Sequence, residues 1–312
     1  MSNFQDLPDE LVLKILRSSE TKDLISCGQV SRRIRTISHD GSLWITANLE
    51  KKIVKTELLE MILSKGCQNL NMSNSTIVGS LYLNEESQLR VLDFSQSNWA
   101  LTDIEVLEEI LFSCHSLEEI RMKRVLLTPT IAINICKNGK TLQKLNLNYS
   151  VCGVYGPPSR FGSDSYLQEI IKQCQELREI DFDGSDEGLK SEDLRFLVEN
   201  ISPNIEKLNL KSSCYLDEFV KILLTRCNKI KSFSLMARFI ADISLTNIRQ
   251  HLHLTLEELS LGCGFEFLSL SGFLELKSMP RLKILNLYNR KADAEVIQTH
   301  LPHLKVQGIA YS

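Results

Sequence analysis

No run of apolar residues in the 312-residue sequence reaches the roughly 18 that a membrane-spanning helix needs. The opening Met1-Ser2-Asn3-Phe4-Gln5-Asp6 lacks the basic start and apolar core of a secretory signal. An excess of basic charge is missing as well. Lys and Arg number 36 against 39 Asp and Glu, a net charge of −3, so there is no electrostatic case for nucleic acid or an acidic membrane surface. None of the nine cysteines forms a Cys-x-x-Cys pair, and their number is odd, which argues against a disulfide framework. His251/His253 and His300/His303 stand without cysteine or a Glu motif nearby, so no metal site is expected. Gly262-Cys263-Gly264 lacks the third glycine of a nucleotide fingerprint and reads as a turn. Cys114-His115 is no nucleophile–base pair, because repeat packing accounts for the cysteine. The expectation is a protein with no catalytic, metal-binding or cofactor-binding residue.

What remains is an ordinary folded composition, 43% hydrophobic and 24% charged. Asn71, Asn74, Asn148 and Asn200 match the Asn-x-Ser/Thr pattern, but without a secretory signal they read as accidental. The expected location is the cytoplasm, the nucleus or both, with thiols reduced.

One pattern dominates the chain. Leu142-Gln143-Lys144-Leu145-Asn146-Leu147 has the form Leu-x-x-Leu-x-Leu, and related hexads begin at Leu89, Leu117, Leu177, Ile205, Ile230, Leu256 and Leu282. Successive copies start 28, 25, 35, 28, 25, 26 and 26 residues apart. That period and strand signature mark a leucine-rich repeat solenoid, an α/β fold with a curved parallel sheet inside and helices outside. Apolar stripes between the strands predict helices over 103–113, 164–173, 191–201 and 216–226. Cys114, Cys174 and Cys227 each precede a hexad by three residues, the place of a small buried group at a helix end.

Residues 1–48 differ. They read as three short amphipathic helices, with Asp6 able to cap the first and Pro8 suited to its first turn. A unit that small buries little surface by itself. It is either a cap over the first repeat or a docking module that completes its core with a partner. Leu7-Pro8-x-Glu10-Leu11, Ile15-Leu16, Leu24, Val30-Ser31-Arg32 and the closing Leu43-Trp44 resemble an F-box, the adaptor-binding module of cullin-RING ubiquitin ligases. Ile34 stands where that family often has an aromatic residue. The resemblance implies a Skp-type adaptor, and through it a cullin-RING ligase, bound by Leu7, Pro8, Leu11, Ile15, Leu16, Leu24, Val30, Ile34 and Trp44.

Residues 49–88 read as a junction with a degenerate first repeat. A helix is expected over 57–65 and a strand near Leu70 and Met72, with 77–83 apolar but off-register. Residues 89–312 are the regular repeats with a C-terminal cap. Strand alternation turns the leucines inward and the residues between them onto the concave face. The exposed triplets begin with Glu119, Arg121 and Lys123, then Lys144, Asn146 and Asn148. Next come Glu179, Asp181 and Asp183, then Lys207, Asn209 and Lys211. Three carboxylates thus stand between two lysine-bearing strands, either as cross-strand pairs or as an anchor for a basic segment. Further along, Met236, Ile284 and Tyr288 mark a nearly uncharged strip, with Asn286 between the last two and Phe239, Phe265 and Phe267 in adjoining turns. The phenylalanines read equally as interface centre or as core filler. The expected substrate contacts are Arg121, Lys123, Lys144, Glu179, Asp181, Asp183, Lys207, Lys211, Met236, Asn286 and Tyr288; Arg121, Lys123, Lys207 and Lys211 could serve a phosphorylated substrate. The long gap before Leu177 holds a Gly/Pro-rich loop with Tyr155, Arg160 and Phe161.

The order of module and repeats, with the ending Leu301-Pro302-His303-Leu304, resembles the F-box proteins with leucine-rich repeats, nearest their S-phase-kinase-associated animal branch. The resemblance implies a non-catalytic substrate-recognition subunit of a ubiquitin ligase, with protein substrate on the concave face and neither nucleic acid nor membrane as partner. The resemblance also implies a small cyclin-dependent-kinase accessory subunit as a partner, which that branch binds with the help of a tail beyond the repeats; this sequence stops at Ser312, which puts that partner in question. The other reading from the residues is a repeat scaffold or inhibitor with a helical cap and no ubiquitin role.

Overall fold

The structure is a computed structural model that describes residues 7–96, 104–148, 164–182, 191–263 and 268–310. It divides into two compact units, Met1–Val125 and Leu126–Ser312. The loop carrying Tyr155, Arg160 and Phe161 lies outside the described residues, as do Asp183, Phe265 and Phe267.

The first unit opens with α1 (Asp9–Leu16), α2 (Thr21–Cys27) and α3 (Arg32–Ser38). The N-cap of α1 is Pro8, with no side-chain cap, and Asp6 lies outside the described residues; Asp9 and Glu10 instead meet the positive end of the helix dipole. Ser31 caps α3, its Oγ accepting from Ile34 N at 3.2 Å. Trp44 is 1% exposed and donates from Nε1 to Ser38 O at 2.7 Å, so its indole nitrogen is satisfied inside the core.

Then come β1 (Thr46–Asn48), β2 (Ile53–Lys55), α4 (Thr56–Ser64), β3 (Asn69–Asn71), β4 (Thr76–Val78), β5 (Val91–Asp93), α5 (Ile104–Ser113) and β6 (Glu119–Arg121). β1, β3, β5 and β6 form a parallel ladder in sequence order. The ladder therefore starts inside the segment assigned from sequence to the helical module. The off-register stretch near Ile77 is β4, paired with β2 in a separate two-stranded sheet whose Val54 and Ile77 face the core.

Three-residue strands need sharp exits. Asn48, Asn71 and Asp93 accept at Oδ1 from the backbone N–H two residues on, at 3.1, 3.0 and 3.0 Å. One residue further, Lys51, Asn74 and Gln96 take left-handed φ of 58°, 56° and 57°, which turns the chain outward. At the ladder's free side, Asn48 N donates to Thr21 Oγ1 at 2.9 Å, which joins α2 to β1.

The second unit alternates α6 (Pro129–Lys137), β7 (Lys144–Asn146), α7 (Asp164–Gln173), β8 (Glu179–Asp181), α8 (Ser191–Asn200), β9 (Lys207–Tyr215), α9 (Asp217–Arg226), β10 (Ser232–Phe239), α10 (Asp242–Leu252), β11 (Glu258–Cys263), α11 (Leu270–Leu274), β12 (Ile284–Tyr288), α12 (Lys291–His300) and β13 (Lys305–Ile309). Its seven described strands again pair parallel in sequence order. β9, β10 and β11 run to 9, 8 and 6 residues, at least twice the three residues of β7 and β8. Phe239, expected in a turn, lies in β10 opposite Tyr215. The repeat leucines are buried throughout, Leu145 at 2% and Leu259 at 0% exposure among them. No described helix is long and apolar enough to cross a membrane.

Successive helices are tied by carboxylates. Asp217, the first residue of α9, accepts from Ala241 N at 3.0 Å and Ser244 Oγ at 2.5 Å, at the start of α10. Asp242, the first residue of α10, accepts from Ser269 N at 2.9 Å and Ser269 Oγ at 2.5 Å, at the start of α11. Gly272 makes room for this, because a Cβ there would meet Asp242 Oδ1 at 2.1 Å. Asp242→Ala is expected to cost about 1–3 kcal/mol, because it strips two hydrogen bonds from Ser269, the N-cap of α11. Urea unfolding measures it, and an unchanged midpoint would show the relay to be idle. At the last strand, Val306 N donates to Gln298 Oε1 at 2.9 Å, while Gln298 Nε2 donates to Leu304 O at 2.8 Å.

No disulfide joins Cys27, Cys67, Cys114, Cys136, Cys174 or Cys227. Cys114, Cys174 and Cys227 are fully buried, as the repeat spacing anticipates. Burial pushes the thiols of Cys67 and Cys174 up to about 12 and those of Cys114, Cys136 and Cys227 up to about 11. A raised thiol pKa leaves the unreactive protonated form at neutral pH. Iodoacetamide at pH 8 is therefore expected to spare these five until denaturant is added, as read by mass spectrometry.

Candidate docking surfaces

Helix α1 carries two apolar stripes, each at i, i+4 spacing. Val12 and Leu16 face the core, at 0% and 3% exposure. Leu11 and Ile15 face out, at 47% and 45%. Val30, just before α3, is 75% exposed, Pro8 is exposed and Leu7 half-buried. The nine residues expected to meet an adaptor therefore separate. Leu7, Pro8, Leu11, Ile15 and Val30 reach the surface. Leu16, Leu24, Ile34 and Trp44 do not; they fill the module's own core and hold the others in place. Arg33, which sequence reasoning passed over, binds Asp9 Oδ1 through Nε at 2.8 Å and Nη2 at 2.6 Å, and Nη2 also reaches Leu7 O. A guanidinium fork thus fixes the chain at Leu7 just before α1. Its signal in the sequence was only an Arg run.

On the helix-free face of the first unit's sheet, Arg121 sits between carboxylates, 3.5 Å from Asp93 and paired also with Glu119. Lys123 is half-buried, and its backbone N–H meets Ser95 Oγ at 3.3 Å. The equivalent face of the second unit is likewise matched. Lys144 and Glu179 lie in register and pair at 2.9 Å. Asn146 Nδ2 donates to Asp181 Oδ2 at 3.2 Å. Of the two readings of this charged stretch, cross-strand pairing describes Glu179 and Asp181; Asp183 lies outside the described residues. Lys207 is exposed and Lys211 half-buried.

Below this face a row of alternating charges runs across the strand starts. Lys231 pairs with Glu206 at 2.5 Å, Arg178 with Glu206 at 3.5 Å and Lys283 with Glu257 at 2.6 Å. The Lys231 ammonium holds the Glu206 carboxyl below its ordinary range, and Lys283 does the same for Glu257.

Asn286 corrects an expectation. Alternation places it on the open face, yet it is 6% exposed and its amide is engaged within the chain. Nδ2 donates to Glu258 Oε1 at 2.9 Å and Ser260 Oγ at 3.0 Å, and Oδ1 accepts from Gln307 Nε2 at 3.5 Å. It braces three strands and has no donor left for a partner. Met236 is also nearly buried, at 8%, because it reclines over Gly262; Tyr288 is half-buried beside it.

Residues 57–312 match the family model described as the SKP2 LRR domain, and residues 4–50 match the F-box-like model. The second match spans α1 to β1, so it includes the strand that opens the ladder. Among solved structures, a chain in the crystal structure of the Rad7 and Elc1 complex in yeast is similar over 95% of this chain and 86% of its own, at 13% identity and a TM-score of 0.50. The leucine-rich repeat-containing protein LegL7 from Legionella pneumophila is similar over 72% and 75%, at 16% identity and a TM-score of 0.44. The likeness to the yeast chain is one of fold alone.

Proposed function

The chain belongs to the F-box proteins with leucine-rich repeats of the SKP2 type, and on that premise we propose that it is the substrate-recognition subunit of a Skp–cullin–F-box ubiquitin ligase. The observation that carries this reading is the outward stripe of Leu11 and Ile15 with Val30, apolar surface that a lone module leaves in water. A Skp-type adaptor would cover it. The helix-free face of the repeats would hold a protein substrate. The subunit's contribution to ubiquitin transfer is then positional. Holding a substrate lysine near a charged conjugating enzyme raises its effective concentration, with no bond made or broken by this chain.

Co-expression of the full chain with a Skp-type adaptor, followed by size-exclusion chromatography, tests the reading. A one-to-one complex is expected, and elution of the two proteins apart would overturn it. The bond from Asn48 N to Thr21 Oγ1 supports a second role for the helical module as a cap on the first strand. The two roles use different surfaces and coexist.

A further inference from the structure

The outward apolar surface of the helical module comes from two segments. Leu7 and Pro8 lead into α1, which carries Leu11 and Ile15, whereas Val30 stands just before α3. Pro8 has no N–H to donate, so the entry cannot be held through its nitrogen. Its φ of −57° and ψ of 150° bring the chain in extended. The Pro8 carbonyl accepts from Leu11 N at 3.0 Å and Val12 N at 3.1 Å, which ties Pro8 to the first turn of α1. Leu7 lies one residue beyond those bonds. Its carbonyl is met instead by Arg33, from the first turn of α3. One guanidinium nitrogen, Nη2, donates both to Leu7 O and to Asp9 Oδ1, the latter at 2.6 Å, and Nε donates to the same carboxylate oxygen at 2.8 Å. Pro8 is thus spanned, with one contact before it and one after. The Arg33 and Asp9 side chains are 39% and 64% exposed, and an ion pair that open to water adds little to the stability of a fold. What the contact does fix is the backbone at Leu7, relative to both α1 and α3.

Resting on the receptor reading above, we propose that Arg33 is a positioning residue for adaptor docking, which acts by holding Leu7 in its bound arrangement before the adaptor arrives. A segment ordered in advance does not have to be ordered on binding, and affinity rises by that saving alone. Arg33 reaches the adaptor only through Leu7: Nε and Nη2 already serve Asp9 Oδ1 and Leu7 O. The role also selects arginine over lysine. A planar guanidinium presents Nε and Nη2 at a fixed spacing, whereas an ammonium is a single point on a flexible stem.

The test is a double-mutant cycle, read by titration calorimetry of the full chain with a Skp-type adaptor. Arg33→Gln and Leu7→Ala are each expected to weaken binding about tenfold, and the two together no more than Leu7→Ala alone. Arg33→Lys is expected to weaken it several-fold. Thermal melting of every variant is expected to stay within about two degrees of wild type, because the ion pair is exposed. Full affinity in any one of the three single variants overturns the inference. So do losses that multiply in the double variant, which would make Arg33 a contact in its own right. A drop in the melting temperature of Arg33→Gln that accounts for its loss of affinity overturns it as well, since the role would then be structural only. Failure of the receptor reading shows separately, as absence of any complex with the wild-type chain.

Discussion

Leu11→Asp combined with Ile15→Asp is expected to abolish adaptor binding, by at least a hundredfold, while the chain still melts within a few degrees of wild type. Both side chains are nearly half exposed, so carboxylates at these positions stay hydrated in the free protein. On docking they would be driven into an apolar contact. Each aliphatic side chain buried contributes about 1.5–3 kcal/mol, and that gain is replaced by the cost of burying a charge. Pull-down of the adaptor with calorimetry of the variant checks both halves. Retention of adaptor by the folded double variant would show that this stripe is not the docking surface. Val12→Asp is the control one residue away: its side chain is fully buried, and the variant should unfold the module.

Trp44→Ala should also lose adaptor, for the opposite reason. The indole is inside the module and bonded to Ser38 O, so truncation leaves a large cavity and an unpaired carbonyl. Such a change costs about 3–5 kcal/mol. Chemical unfolding should show the loss without adaptor present. Full stability in the variant, with adaptor binding gone, would return Trp44 to the interface. Cutting the chain near Lys51 is a poor way to separate cap from docking module, because the cut removes β1 and the Thr21 contact together.

The repeats were legible because a strand leucine must be buried in every copy, and that recurrence needs no knowledge of neighbours. The helices at 164–173 and 191–200 were legible for the same reason. What the periodicity could not decide was which of two equivalent stripes on α1 turns inward. Val12/Leu16 and Leu11/Ile15 have the same spacing, and packing of α1 on α3 makes the choice. Asn286 shows the second limit. Alternation tells which way a side chain points, whereas its burial depends on Glu258, Ser260 and Gln307, which come from other repeats. The length of β9 to β11 was hidden too, since nothing in Leu-x-x-Leu-x-Leu says where a strand stops. The Asp217 and Asp242 links cross between repeats and left no local signature.

One side chain described above also covers part of an exposed strand edge. Among the described strands β13 pairs with β12 alone, and its outward N–H and C=O groups are of the kind that can template a further strand. Gln298 holds one of those groups, the Val306 N–H, from within the same chain. A strand added along that edge would first have to displace the Gln298 amide, so a bond that adds little to the stability of one molecule raises the cost of joining two.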